Sequence, residues 1–121
     1  MRYLFLIHVD EAEMKAQPME AAVECMREAQ AYEEELKEKG HLIASHGLEW
    51  ASQATTLRVK SGRIVSTDGP FSETKEQLLG FFLIEAEDKD EAFALASRLP
   101  MLARGSTVEL RAIADLVEEA I

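Results

Sequence analysis

The chain has a single cysteine, Cys25, in 121 residues. One thiol excludes an intramolecular disulfide and any zinc or iron–sulfur site built on cysteines, and it suits a reducing compartment, so a cytoplasmic protein is expected. Cations are scarce too: 13 Lys or Arg stand against 23 Asp or Glu, a formal net charge of -10. That balance argues against nucleic acid, whose binding needs Lys and Arg to displace condensed counterions, and against an anionic membrane surface. Long apolar runs are missing. The N-terminal run Tyr3 to Val9 is broken by His8 and followed by Asp10, Glu11 and Glu13 with no small-residue cleavage site, unlike a leader, and it is too short to span a bilayer. There is no glycine-rich phosphate loop, no serine in an elbow sequence and no basic stretch interleaved with aromatics. Nucleotide cofactors and acyl-enzyme chemistry therefore lack support, and no cofactor is expected.

What is present is enough for one core. The length and an apolar fraction of 47% fit a single domain over residues 1–121. Residues 2 to 9 read as a central buried strand. From Pro18 to Lys39 the spacing turns helical, with Ala22, Cys25, Met26, Ala29, Tyr32 and Leu36 on one stripe and Gly40 as the left-handed stop. Cys25 is expected to pack rather than react. Residues 41 to 46 read as a second strand, and Thr55–Lys60 and Arg63–Thr67 as a hairpin turning at Ser61-Gly62. Asp68-Gly69-Pro70 ends that hairpin. Ser72 to Leu79 reads as polar with one helical turn, and Gly80 to Ala86 as another buried strand. Asp88 to Glu91 has the layout of a capping box before a helix with Ala92, Phe93, Ala96 and Leu99 on one face, ending at Pro100. Thr107 to Ile113 alternates as a last strand, and Asp115 to Ile121 reads as a short helix.

The order is β-α-β-β-β-β-α-β, which predicts a ferredoxin-like α+β sandwich with a hairpin insertion and helices on one face of a mainly antiparallel sheet. The other sheet face has no cover within the chain. An exposed apolar face of that size is more than a monomer tolerates, so a homodimer joining two sheets is expected. Of the 23 acidic residues, 15 fall in three groups, at 10–13, 20–38 and 85–91, in or beside the helices. They read as a solvated coat.

Three histidines are available for chemistry, His8, His41 and His46. His41 and His46 are an odd number apart on a strand, so they face opposite ways and make a poor chelate; no metal site is expected. His8 shares a strand face with Leu4 and Leu6, and an imidazole there suits proton transfer if the face lines a dimer cavity. His46 ends its strand at a cavity mouth. Asp68 either holds its turn or orients a histidine and acts as a base. Glu73, Lys75 and Glu76 follow as a polar lid. Arg58 and Arg111 alternate with apolar residues and are expected on the inner face, binding a carboxylate of a ligand or of a neighbour such as Glu109.

The string Asp68-Gly69-Pro70-Phe71, continuing through Ser72-Glu73-Thr74-Lys75-Glu76-Gln77-Leu78 to Gly80-Phe81-Phe82-Leu83-Ile84, closely resembles the DGPF branch of the YCII-like proteins. Arg2 to Ile7, Ala54 to Val59 and Gly105 to Arg111 look like that branch as well, so the resemblance covers almost the whole chain. It implies a dimeric α+β barrel, agreeing with the element order, and a link to extracytoplasmic-function sigma factors. Some YCII-like relatives are enzymes acting on small cyclic or chlorinated aromatic acids through a His–Asp dyad whose histidine lies in the first helix. Here that helix reads Met26-Arg27-Glu28-Ala29-Gln30-Ala31-Tyr32, without a histidine, and the dyad does not carry over.

The leading expectation is a homodimer binding a small, anionic metabolite in a cleft between its sheets, with metal-free isomerase- or lyase-like acid/base chemistry. Asp68 and His46 are the acid/base candidates, and His8, Lys75, Arg58 and Arg111 the ligand-binding ones. The rival expectation is a noncatalytic regulatory or interaction module whose acidic helices dock a basic partner such as a sigma factor.

Overall fold

β1 (Arg2–Asp10) alternates strictly: Tyr3, Phe5, Ile7 and Val9 are buried, while Leu4, Leu6 and His8 are half-buried. In the computed structural model, which describes residues 1–114, this strand lies at the centre of a four-stranded antiparallel sheet of order β2-β5-β1-β6, with β2 at Leu42–Gly47, β5 at Glu76–Glu85 and β6 at Thr107–Ala112. Apart from two short extra helices, this is the expected ferredoxin-like α+β order. The Asp115–Ile121 helix lies outside the described residues.

Two long helices cover one sheet face. α2 (Met19–Glu38) follows a short α1 (Glu11–Ala16), which the reading from Pro18 omits; α1 starts where the Asp10 carboxylate accepts the Glu13 backbone N–H at 3.2 Å. α2 stops at Gly40, whose φ of +78° is the left-handed conformation glycine adopts without strain. Only part of the expected stripe is buried. Tyr32 and Leu36 reach the core, whereas Ala22 and Met26 stay exposed; α2 packs on the short α4 (Pro100–Ala103) as well as on β2.

α3 (Lys89–Ser97) is capped by Asp88, whose carboxylate accepts from the Glu91 N–H at 2.8 Å while Glu91 accepts from the Glu87 N–H at 2.9 Å. Its inner face, continued past its end, is Ala92, Leu95, Ala96 and Leu99, the i, i+3, i+4, i+7 set. Phe93, expected on that face, is 64% exposed, since one residue is about 100° of turn. Pro100 opens α4 rather than merely ending a helix.

The core therefore sits between β1 and β5 on one side and α2 and α3 on the other, with Phe5, Leu36 and Ile84 fully buried. Tyr32 Oη donates to the Leu95 carbonyl at 2.5 Å, tying α2 to α3. Burial pushes the Tyr32 phenol above its usual pKa, with Arg98 opposing the rise and Glu35 adding to it. Two carboxylates of the supposed coat also tie elements together. Both Glu35 carboxylate oxygens accept from Arg98 Nη2 (2.9 and 2.8 Å), and Glu28 accepts from Arg104 Nε at 2.7 Å, which holds both acids below the ordinary carboxylate range.

β5 begins at Glu76, not at Gly80, so the helical turn expected at Ser72–Leu79 is not formed. Glu76, Gln77 and Leu78 pair with Asp10, Val9 and His8, and Leu79 is the extra residue of a bulge between Ile7 and His8. Gly80 is needed there: a Cβ at that position would meet the His46 carbonyl oxygen at 2.7 Å, where β2 crosses close to β5.

The remaining strands, β3 (Thr55–Lys60) and β4 (Arg63–Asp68), pair only with each other, in a hairpin separate from the main sheet. Arg58 lies on this hairpin, not on the inner sheet face as expected.

Candidate functional site

Strand alternation and register decide what the open sheet face carries. Directly opposed residues share a face, so Leu4, Leu6 and His8 of β1 stand beside Leu78, Phe81 and Leu83 of β5, Ala44 and His46 of β2, and Thr107, Glu109 and Arg111 of β6. The centre is apolar and one end is polar. No described helix crosses this face.

His8 stands at the polar end, beside the bulge. Its side chain is 28% exposed, and Nε2 lies 3.5 Å from Glu109 Oε1 on the neighbouring strand. Thr107 Oγ1 donates to Glu76 Oε1 at 2.8 Å, and Lys75 Nζ lies 3.9 Å from Asp10 Oδ2. Together with Glu13 these groups border a cleft of about 840 Å³. Four carboxylates there face one lysine and one imidazole.

A second cleft, about 570 Å³, shares His8 and has an apolar wall of Leu48, Trp50, Pro70, Phe71 and Leu78. Its rim is built from two loops. The loop after β2 closes in a 3₁₀ turn, Ala51–Gln53, where the Ala51 N–H donates to Glu11 Oε2 at 2.8 Å and Lys15 sits 4.7 Å above the Trp50 ring. The loop before β5 is held by Gln77 Nε2, which donates to the Ser72 and Thr74 carbonyls.

Asp68 lies elsewhere. It ends β4, exposed, and lines a third cleft with Glu11, Ser52, Gly69, Pro70 and Glu73, which His8 does not reach. Its turn is held without the Asp68 side chain: the Gly69 N–H donates to the Ala54 carbonyl at 2.7 Å, and the Thr56 hydroxyl Oγ1 donates to the Gly69 carbonyl at 2.8 Å, with Gly69 at φ +113°. Among the described residues the Asp68 carboxylate has no hydrogen-bond partner.

The other expected site residues divide in the same way. His46 packs against Phe81, ring centroids 5.7 Å apart, toward the β2 edge. Arg58 lies 5.8 Å from the Phe71 ring centroid. Arg111 is on the open face and exposed, with Nε 3.9 Å from Glu109 Oε2, the neighbouring carboxylate expected for it. The structure thus brings His8 and Lys75 into one cleft, connects Arg111 to it through Glu109, and keeps Asp68 and His46 apart from it. His41 Nδ1 donates to the Glu85 carbonyl at 2.8 Å, and among the described residues no three His, Cys, Asp or Glu converge as a metal-ligand set.

A family model for the YCII-related domain matches residues 1–116. The chain belongs to the YCII-related family. It is also similar to an uncharacterised protein of Rhizobium meliloti (strain 1021), 39% identical over 99 residues, covering 82% of this chain and 80% of that protein. This YCII-related chain has no helix among its described residues long and apolar enough to cross a membrane.

Sequence reasoning missed Trp50 as a site residue, and took Glu76 only as part of a polar lid and Glu109 only as a neighbour for Arg111. Trp50 is the only tryptophan and sits in a loop between strands, which was a usable signal. Strand register alone sets Glu109 beside His8 and Glu76 beside Asp10, with no local signal for either.

Proposed function

We propose that this YCII-related protein works as a homodimer whose second copy covers the open sheet face, and that it binds a small molecule in the cleft beside His8. The observation that carries this reading is the position of His8: half-buried, paired with Glu109, and common to an acidic cleft and an apolar one. The ligand's apolar body lies against Trp50, Phe71 and Leu78, and its polar head meets His8. Four carboxylates around that point favour a neutral or cationic head over the anion that the sequence suggested.

The chemistry supported is metal-free proton transfer. An imidazole can take a proton from a ligand and return it, and the Glu109 carboxylate 3.5 Å from Nε2 orients the ring. Lys75 guards the cleft mouth. Asp68 and His46, without a place in this cleft, are not given the acid/base role.

A thermal-shift screen of a metabolite library tests the reading, since a ligand in excess over its Kd raises the Tm. At least one compound should stabilise the wild type and lose its effect in His8→Asn and Trp50→Ala. Compounds that stabilise all three proteins equally would contradict it. The regulatory alternative draws on the exposed carboxylates of α2, and retention of a sigma factor from host extract, with no ligand found, would favour it.

A further inference from the structure

β6 is an edge strand, and among the described residues its outer side pairs with no strand and takes no backbone hydrogen bond from a loop. The Ile113 N–H donates to the Arg2 carbonyl at 2.9 Å, so the odd-numbered residues turn their backbone toward β1, and Val108, Leu110 and Ala112 turn theirs outward. A regular outward row of this kind is a template for another strand unless something guards it. The other edges are guarded. β2 is broken by its register shift between Leu42 and Ala44, and the β3–β4 hairpin carries the like charges of Arg58, Lys60 and Arg63. β6 has no proline, glycine or bulge, and its two charged side chains, Glu109 and Arg111, are of opposite sign.

Those two charges fit a second β6. When two copies run antiparallel and meet at Leu110, outward backbone faces outward backbone, and Val108 lies opposite the partner's Ala112. Glu109 then lies opposite the partner's Arg111, and Arg111 opposite the partner's Glu109, each with about 5 Å between Cβ atoms. Centring the pair on Glu109 instead sets the two glutamates opposite each other, and centring it on Arg111 sets the two arginines opposite. The charges therefore select the Leu110 register. The chain's charge of -10 opposes association at long range, where salt screens it, but β6 itself is neutral.

We propose that β6 pairs with β6 of a second copy about a two-fold axis at Leu110, joining two four-stranded sheets into one and setting the partner's Arg111 against Glu109. Glu109 Oε1 is the oxygen 3.5 Å from His8 Nε2, so each copy lends an arginine to the border of the other's His8 cleft and offsets one of its four carboxylates. The contact lies along a sheet edge. It is separate from the one over the open face and does not rest on it; with both contacts made, the assembly is larger than a dimer.

Sedimentation velocity and amide hydrogen exchange across a concentration series test it. Glu109→Arg and Arg111→Glu each set like charges opposite and should weaken association about tenfold, while their equimolar mixture, in which every opposed pair is unlike, should associate at least as tightly as the wild type. Misfolded variants cannot give that gain. In the wild type the amides of Val108, Leu110 and Ala112 should exchange about tenfold more slowly where the protein associates than where it is dilute, whereas a contact over the sheet face leaves them bonded to water. If Leu6→Glu dissociates the protein while both β6 variants associate like the wild type, the face contact stands and the edge pair is refuted. A mixture as dissociated as its components, or amides that exchange equally fast at both concentrations, also refutes the edge pair. A wild type that is monomeric throughout overturns both contacts.

Discussion

His8 Nε2 and Glu109 Oε1 lie 3.5 Å apart across neighbouring strands, where an acidic and an apolar cleft meet on the open sheet face. The pair is partly exposed, so its contribution to folding is small, about 0–1 kcal/mol. Its role is to orient an imidazole. Glu109→Gln should leave thermal unfolding nearly unchanged and weaken stabilisation by a compound from the metabolite screen severalfold. His8→Asn should abolish that stabilisation with the fold intact by circular dichroism.

Gly80 marks the closest approach of β2 to β5. Gly80→Ala puts a methyl 2.7 Å from the His46 carbonyl oxygen, a backbone atom that cannot swing aside. The expected cost is about 1–3 kcal/mol, the range for overpacking a tight site, read as a lower urea midpoint with an unchanged slope. An unchanged midpoint would mean that the two strands part freely.

The buried bond from Tyr32 Oη to the Leu95 carbonyl joins the two long helices. Tyr32→Phe should cost about 1 kcal/mol. Because burial raises the Tyr32 pKa in the folded state, the wild type loses stability as the pH rises above about 10, where the unfolded phenol ionises and the folded one resists. Urea unfolding at pH 8 and pH 10.5 should show that alkaline loss in the wild type and less of it in Tyr32→Phe.

Acid acts through other groups. Glu28 and Glu35 are held below the ordinary carboxylate pKa by Arg104 and Arg98, so their contribution is present above about 4.3, the unfolded value, and fades as the pH falls through the lower folded values. Both sites are exposed and salt screens them. Arg98→Met/Arg104→Met should therefore flatten the stability profile between pH 5 and pH 3, and 1 M NaCl should flatten it partly in the wild type.

The fold was legible because its signals are local. The alternation in Tyr3 to Val9, the stop at Gly40, the capping pattern at Asp88 to Glu91 and the Ser61-Gly62 turn each act over a few residues, and together they fix the element order. The start of β5 was not legible, since Glu76 and Gln77 are polar and are drawn into the sheet by pairing with Asp10 and Val9. The site was half legible. His8 and Lys75 were named and do share a cleft, but Asp68 lines another one, and its turn is held at Gly69 by the Ala54 carbonyl and the Thr56 hydroxyl. Glu109 was read as a partner for Arg111 alone, because its approach to His8 depends on the register between β1 and β6.

The central claim is that His8, and not His46, meets the ligand. With only three histidines, a two-dimensional 1H–13C spectrum of protein labelled in its histidine rings can follow each one separately. Titrating in a compound that raises the Tm should move the His8 cross-peaks and leave those of His41 and His46 in place. Movement of His46 with His8 unchanged would contradict the account.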